Sequence, residues 1–165
     1  MATSTGFAPS PSERFESYTS VLMQAVGHAD RAEPLRLHCA GLLLPGERKS
    51  VEPMAARLAP GEVRSVHQRM HHLVADSPWS DRRLLAVVRD YALPVFGAHG
   101  GVQAWIVDDT GIPKKGNHSV GVTRQYCGVL GKQENCQVAV SLSVANERLS
   151  LPIAYELYLP EVWAI

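Results

Sequence analysis

Between Phe15 and Val26, apolar side chains fall at Phe15, Tyr18, Val21, Leu22, Ala25 and Val26. That three- and four-residue spacing predicts an amphipathic helix ending near Gly27. The same period predicts a second helix over residues 34 to 44, stopped by Pro45-Gly46, and a short third one that Ser50 caps and Pro60-Gly61 halts. Val63, Val66, Met70, Leu73 and Val74 form the apolar face of a fourth. Leu84, Leu85, Val87, Val88, Tyr91 and Ala92 mark a fifth, capped by Ser80 and ending between Leu93 and Gly97. Residues 14 to 97 therefore read as a helical domain. The Ser-, Thr- and Pro-rich residues 1 to 13 lack the apolar surface to offset the entropy of ordering, and read as a disordered tail.

The period changes at Gly97-Ala98-His99-Gly100-Gly101. Residues 103 to 109 are rich in large and β-branched side chains, residues 136 to 144 alternate Val138, Val140, Leu142 and Val144 with polar or small partners, and residues 153 to 159 make a third strand. Asn146-Glu147-Arg148 is a turn that joins the last two as a hairpin. The expectation is an α+β chain: a helical domain, then three antiparallel strands with no crossover helix between them. An α/β domain would go on to cover such a sheet with helices, so the sheet reads as the opening of an incomplete domain over residues 98 to 165. Trp105 and Trp163 flank this sheet and are expected in its core, while Trp79 is expected to staple one helix to the next.

Composition adds limits. At 165 residues and 45% hydrophobic content a sizeable core is possible, and 16 basic against 16 acidic side chains leave no net charge. Attraction to a polyanion must then rest on local charge. Cys39, Cys127 and Cys136 are an odd count without close pairing, which favours free thiols in a reducing compartment. The start carries no basic, apolar leader and no apolar run approaches the ~20 residues of a membrane span. The reading is cytoplasmic, with no membrane partner.

Candidate chemistry concentrates in AWIVDDTGIPKKGNHSVG, residues 104 to 121. Asp108 and Asp109 are adjacent at the expected end of a strand, and alternate residues of a strand face opposite ways, so one is functional and the other structural. Asp-Thr-Gly by itself is more often a turn or cap. From Thr110 to Gln133 there follow four fixed cations, Lys114, Lys115, Arg124 and Lys132, with no acid and five glycines. Glycines let backbone approach a ligand, and cations with exposed N–H groups suit phosphate. A carboxylate beside such a segment suggests magnesium held against a phosphodiester, since Mg2+ takes carboxylate and phosphate oxygens. Glu134, Glu147, Glu156 and Glu161 have no motif support as further ligands and are assigned to solvated faces. His67 and His71 share a helix face, but the intervening Gln-Arg-Met lacks the glutamate of a zinc hydrolase motif, and they read as surface histidines. His118, Cys127 and Cys136 are too irregularly spaced to argue for zinc, and the thiols read as small apolar groups. Arginines 64, 69, 82, 83 and 89 lie among acids and read as surface ion pairs.

The stretch from Trp105 through Asp-Asp-Thr-Gly-Ile-Pro-Lys-Lys-Gly to Leu142, followed by Leu-Pro-Ile-Ala-Tyr-Glu-Leu-Tyr-Leu-Pro-Glu-Val-Trp-Ala at residues 151 to 164, closely resembles the DDE-type transposases of bacterial insertion sequences, the DDE superfamily endonucleases. Gly46-Glu47-Arg48-Lys49-Ser50 resembles the N-terminal region of the same proteins. The resemblance implies a helical, DNA-contacting domain joined to an RNase H-like core, with Asp109 as the first catalytic and metal-binding acid and Asp108 as the fallback one residue away. It implies Mg2+ as cofactor and insertion-sequence ends as the DNA partner, to whose phosphates the cationic segment with Lys114, Lys115, Arg124 and Lys132 is suited by its local charge. The family's second Asp and its Glu come much later in the chain than Ile165, so the expectation is a truncated transposase, inactive alone, whose unfinished sheet is open to self-association. A non-catalytic DNA- or partner-binding remnant is the alternative. An aspartic protease, which also carries Asp-Thr-Gly, ranks below both, because such a protomer is nearly all β.

Overall fold

The computed structural model describes residues 8 to 163. It divides into two compact units, Met1–Val87 and Val88–Ile165. Five helices precede an antiparallel sheet of four strands, an α+β class.

The first unit holds α1 (Pro11–Val26), α2 (Ala32–Leu43), α3 (Val51–Leu58), α4 (Val63–Ala75) and the start of α5 (Asp81–Ala98). Helix α1 begins inside the segment expected to be disordered. Ser10 Oγ accepts the Glu13 N–H at 3.2 Å while the Glu13 carboxylate accepts the Ser10 N–H at 2.7 Å, a reciprocal cap that the Ser/Pro-rich composition hides. The rest of that expectation, residues 1 to 7, lies outside the described residues. Gly27 closes α1 at φ 79°, a left-handed cap that glycine adopts without a side-chain penalty. Ser50 precedes α3 without a side-chain capping bond, whereas Ser80 Oγ accepts the Arg83 N–H at 3.2 Å.

Met54, Ala55, Val66 and Met70 form the buried centre, packed round by Leu37, Val51, Leu58, Ala59 and Val63. Close approach of α2 to α3 depends on Gly41, where an added Cβ would lie 2.9 Å from both Cβ and Sδ of Met54. Trp79 fastens the chain after α4, its indole N–H donating to the Leu73 carbonyl at 2.7 Å. Of the five arginines expected in surface ion pairs, Arg69 pairs with Glu33 and Arg89 with Asp90. No described helix is long and apolar enough to cross a membrane.

In the second unit β1 (Ala104–Pro113), β2 (Thr123–Cys127), β3 (Lys132–Ala145) and β4 (Ser150–Leu157) are all antiparallel, with β3 central. Strand β1 lines one side of β3, while β2 and then β4 occupy the other. The fourth strand corrects the expectation of three: β2 lies in what reads as a glycine-rich loop, joined to β3 through a 3-10 turn at Gly128–Leu130 and Gly131 at φ 63°. Strand β1 also continues past the expected end at Asp109, pairing through Pro113 with Cys136. The hairpin of β3 and β4 turns where expected, with Asn146 Oδ1 accepting the N–H groups of Arg148 and Leu149, both at 2.9 Å.

Phe96, Val122, Cys127, Cys136, Val144 and Ala145 are the buried apolar residues of this unit. Trp105 is 66% exposed and Val107 70%, so Trp105 is not the core residue that it reads as. Trp163 is half-buried, with its indole N–H donating to the Val122 carbonyl at 2.8 Å.

Candidate active-site strand

Register decides which way each carboxylate of β1 points. Asp109 is opposite Val140 on β3, and Val140 is opposite Glu156 on β4. Directly paired residues share a face, so Asp109, Val140 and Glu156 make one cross-strand row. Val107, Leu142 and Ala154 form the next row on that face. Asp108 belongs to the other face, in a row with Ser141 and Tyr155. Both aspartates are exposed.

Their hydrogen bonding differs as well. The Asp108 carboxylate turns back on the backbone and accepts the Asp109 N–H at 2.9 Å. A shallow depression at this level of β1 is lined by Val107, Val140 and both aspartates. Glu156, assigned to a solvated face from sequence, is exposed and stands in the Asp109 row, with Cα atoms two strand spacings apart, about 10 Å. Only the register reveals that proximity, because the two acids belong to different strands at opposite ends of the sheet-forming segment.

Gly111, one step beyond Asp109 on the same face, serves packing. A Cβ there would sit 2.8 Å from Cys127 Sγ and 3.1 Å from Cys127 Cα, so the end of β2 folds down onto backbone that carries no side chain. The glycine that sequence reasoning reads as room for a ligand is filled by Cys127. Cys127 and Cys136 are both fully buried free thiols, as their reading as small apolar groups anticipates. Burial, with Cys127 alongside, pushes the Cys136 thiol up from its ordinary range.

The four cations are dispersed. Lys114 follows the last β1 residue, about 17 Å along the strand from Asp109 at five residue steps. Its carbonyl and that of Gly116 accept the two Asn135 side-chain N–H bonds at 2.9 and 3.0 Å, which folds the Lys114-Lys115-Gly116 turn onto β3. Arg124 is opposite the same Asn135 on β2, so Lys114 and Arg124 flank one residue from two sides, away from the Asp109 row. Lys132 forms an ion pair with Glu134 at 3.1 Å; the Asn135 N–H and that lysine together hold the Glu134 carboxyl below its usual range. His118 is exposed, and no group of three or more His, Cys, Asp or Glu side chains suited to a metal occurs among the described residues.

Comparison with known proteins agrees with the motif. A family model described as DDE superfamily endonuclease matches residues 21–165. The chain belongs to that family. It is 36% identical over 93 residues to the "Probable transposase for insertion sequence element IS701" of Microchaete diplosiphon, an alignment covering 56% of this chain and 24% of the relative. The chain thus spans about a quarter of the length of this curated relative. No solved structure matches.

DDE superfamily endonucleases use divalent metal ions. Asp109 suits such an ion: its donors are hard carboxylate oxygens, exposed, on an ordered strand, and not engaged by a protein N–H as those of Asp108 are. It would be one donor only, since the described residues offer no three-ligand group around it.

Proposed function

We propose that this chain works as part of an insertion-sequence transposase, in which β1, β3 and β4 are antiparallel strands of an RNase H-like core and the helical unit contacts DNA. Asp109 is its first metal-holding acid. The observation that carries the choice of Asp109 over Asp108 is their hydrogen bonding: the Asp108 carboxylate is turned back onto its neighbour's N–H, while Asp109 stands on the other face of β1 in the row of Val140 and Glu156.

A bound Mg2+ supplies charge neutralisation for a phosphodiester under attack. The protein's share is to hold one oxygen donor on a strand whose neighbour β3 fixes its direction. Lys114, Lys115 and Arg124 contribute a separate patch of positive charge beyond the end of β1, placed to track a DNA backbone rather than to touch the reacting phosphate. Lys132, neutralised by Glu134, adds least to that patch. Because a single acid does not complete a metal site, phosphodiester cleavage requires ligands beyond those of residues 8 to 163, and the purified 165-residue chain leaves a supercoiled plasmid intact in Mg2+.

Mn2+ as a paramagnetic probe tests the assignment independently of turnover. Amide resonances around residues 107 to 110 and 140 broaden on adding Mn2+ to the full chain, and Asp109→Asn removes the effect while Asp108→Asn keeps most of it. Equal broadening in Asp109→Asn, or loss on Asp108→Asn alone, would reassign the acid. Robust nicking of the plasmid would overturn the claim that further ligands are needed.

A further inference from the structure

Helix α4 carries a feature that DNA chemistry leaves unused. Its core face is Val66, Met70 and Leu73, all buried. At 100° per residue, Arg69, His72 and Asp76 fall on one flank of that face, where Arg69 pairs with Glu33 and His72 with Asp76 at 3.3 Å. Arg64, His67, His71 and Val74 fall on the opposite flank. There the rings of His67 and His71 lie with centroids 5.9 Å apart and planes at 45°, His67 half-buried and His71 exposed. Neither imidazole hydrogen-bonds to a protein group among the described residues, in contrast to His72 and to His99, whose Nδ1 is 2.8 Å from the Val95 carbonyl.

We propose that His67 and His71 form a two-imidazole site for a borderline divalent transition ion, Zn2+ or Ni2+, bridging one turn of α4. Three observations support it. The four-residue spacing stacks both rings over adjacent turns. Helical backbone restrains their Cβ positions before any ion arrives, so the second nitrogen binds as an intramolecular ligand. Imidazole nitrogen selects zinc, nickel or copper over magnesium, so the site is chemically distinct from the oxygen donors of β1. Metal–nitrogen bonds of about 2.0–2.1 Å require the two coordinating nitrogens to come within roughly 3–4 Å of each other. Small χ rotations from a 5.9 Å centroid separation suffice, with one edge of each ring turned inward. No third protein ligand joins them among the described residues, so water or an exogenous donor fills the remaining positions. Arg64, one turn earlier on the same flank, would sit beside those open positions and favour an anionic donor there.

The test titrates the full chain with ZnCl2 and, separately, NiCl2, following heat of binding and the His imidazole resonances. One ion binds per chain, the His67 and His71 resonances shift, and those of His72 stay in place. His67→Ala and His71→Ala each weaken binding by roughly a hundredfold, as expected when a two-point attachment becomes single. His72→Ala binds as the parent does. Unchanged circular dichroism of the apo variants shows that the loss is not unfolding. Undiminished binding in the double variant His67→Ala/His71→Ala would place the ion on the thiols or elsewhere and overturn the proposal, as would absence of 1:1 binding by the parent chain.

Discussion

Replacing Gly111 by Ala separates two explanations for the glycine of Asp-Thr-Gly. If Gly111 leaves room for a ligand, an alanine harms binding and spares stability. The geometry says the reverse. The new methyl would be 2.8 Å from Cys127 Sγ, 3.1 Å from Cys127 Cα and 3.3 Å from the Gly128 nitrogen, and the last two of these atoms are backbone, which yields less readily than a side chain. Overpacking of this kind costs about 1–3 kcal/mol. Much of it arises from one sulfur, so Cys127→Ala in the same background should recover part of the loss, a coupling of about 0.5–2 kcal/mol, while the main chain at residues 127 and 128 keeps the rescue incomplete. Urea unfolding of the four proteins of the cycle measures the energies, and reaction with a thiol reagent reports the packing. Cys127 is inert in the parent, being fully buried, and becomes reactive in Gly111→Ala as the end of β2 lifts. A Gly111→Ala protein with parental stability and an inert Cys127 would refute the packing account.

Two further outcomes follow from the helical unit. Met54→Ala removes a fully buried side chain from between α2 and α4 and should cost about 2–5 kcal/mol, read from thermal or urea unfolding of the full chain. Glu13, its carboxyl held below the usual range by Ser10, stabilises the start of α1 at neutral pH; because the folded pKa is depressed, that contribution is lost as pH falls through it. Protection of the amides of residues 12 to 14, taken relative to their intrinsic exchange rates, should therefore fall on acidification, and Ser10→Ala should flatten the dependence; pH-independent protection in the parent would contradict it.

The helices are legible because each carries a 3.6-residue apolar period and ends at Gly or Pro, signals that act locally. The start of α1 is not, since Ser10 and Glu13 only form a cap if the proline between them is read as a first-turn residue rather than as a mark of disorder. On the sheet, Asp, Gly and Pro are poor strand formers, so the strand reads as ending at Asp109 with a turn after it; ten consecutive pairings with β3 override that preference. Strand β2 is hidden for a related reason, its five residues lying among glycines that suggest a loop. The length of β1 bears directly on the site: were the strand to end at Asp109, Lys114 would lie beside the acid, whereas the extended strand carries it far along the same edge. The choice between Asp108 and Asp109 needs the register, because alternation tells that they differ in direction but not which direction is which.

Strand β1 pairs with β3 alone among the described strands, leaving its other edge without a partner strand, with the Asp109 N–H turned onto the Asp108 carboxylate. Two copies zipped antiparallel along that side and centred on the aspartates would bring four carboxylates together across the seam, an arrangement that repels. A foreign strand with lysine or arginine at that level meets no such barrier. On charge alone, such an edge pairing favours a strand that brings lysine or arginine to the level of Asp108 and Asp109 over a second copy of this one.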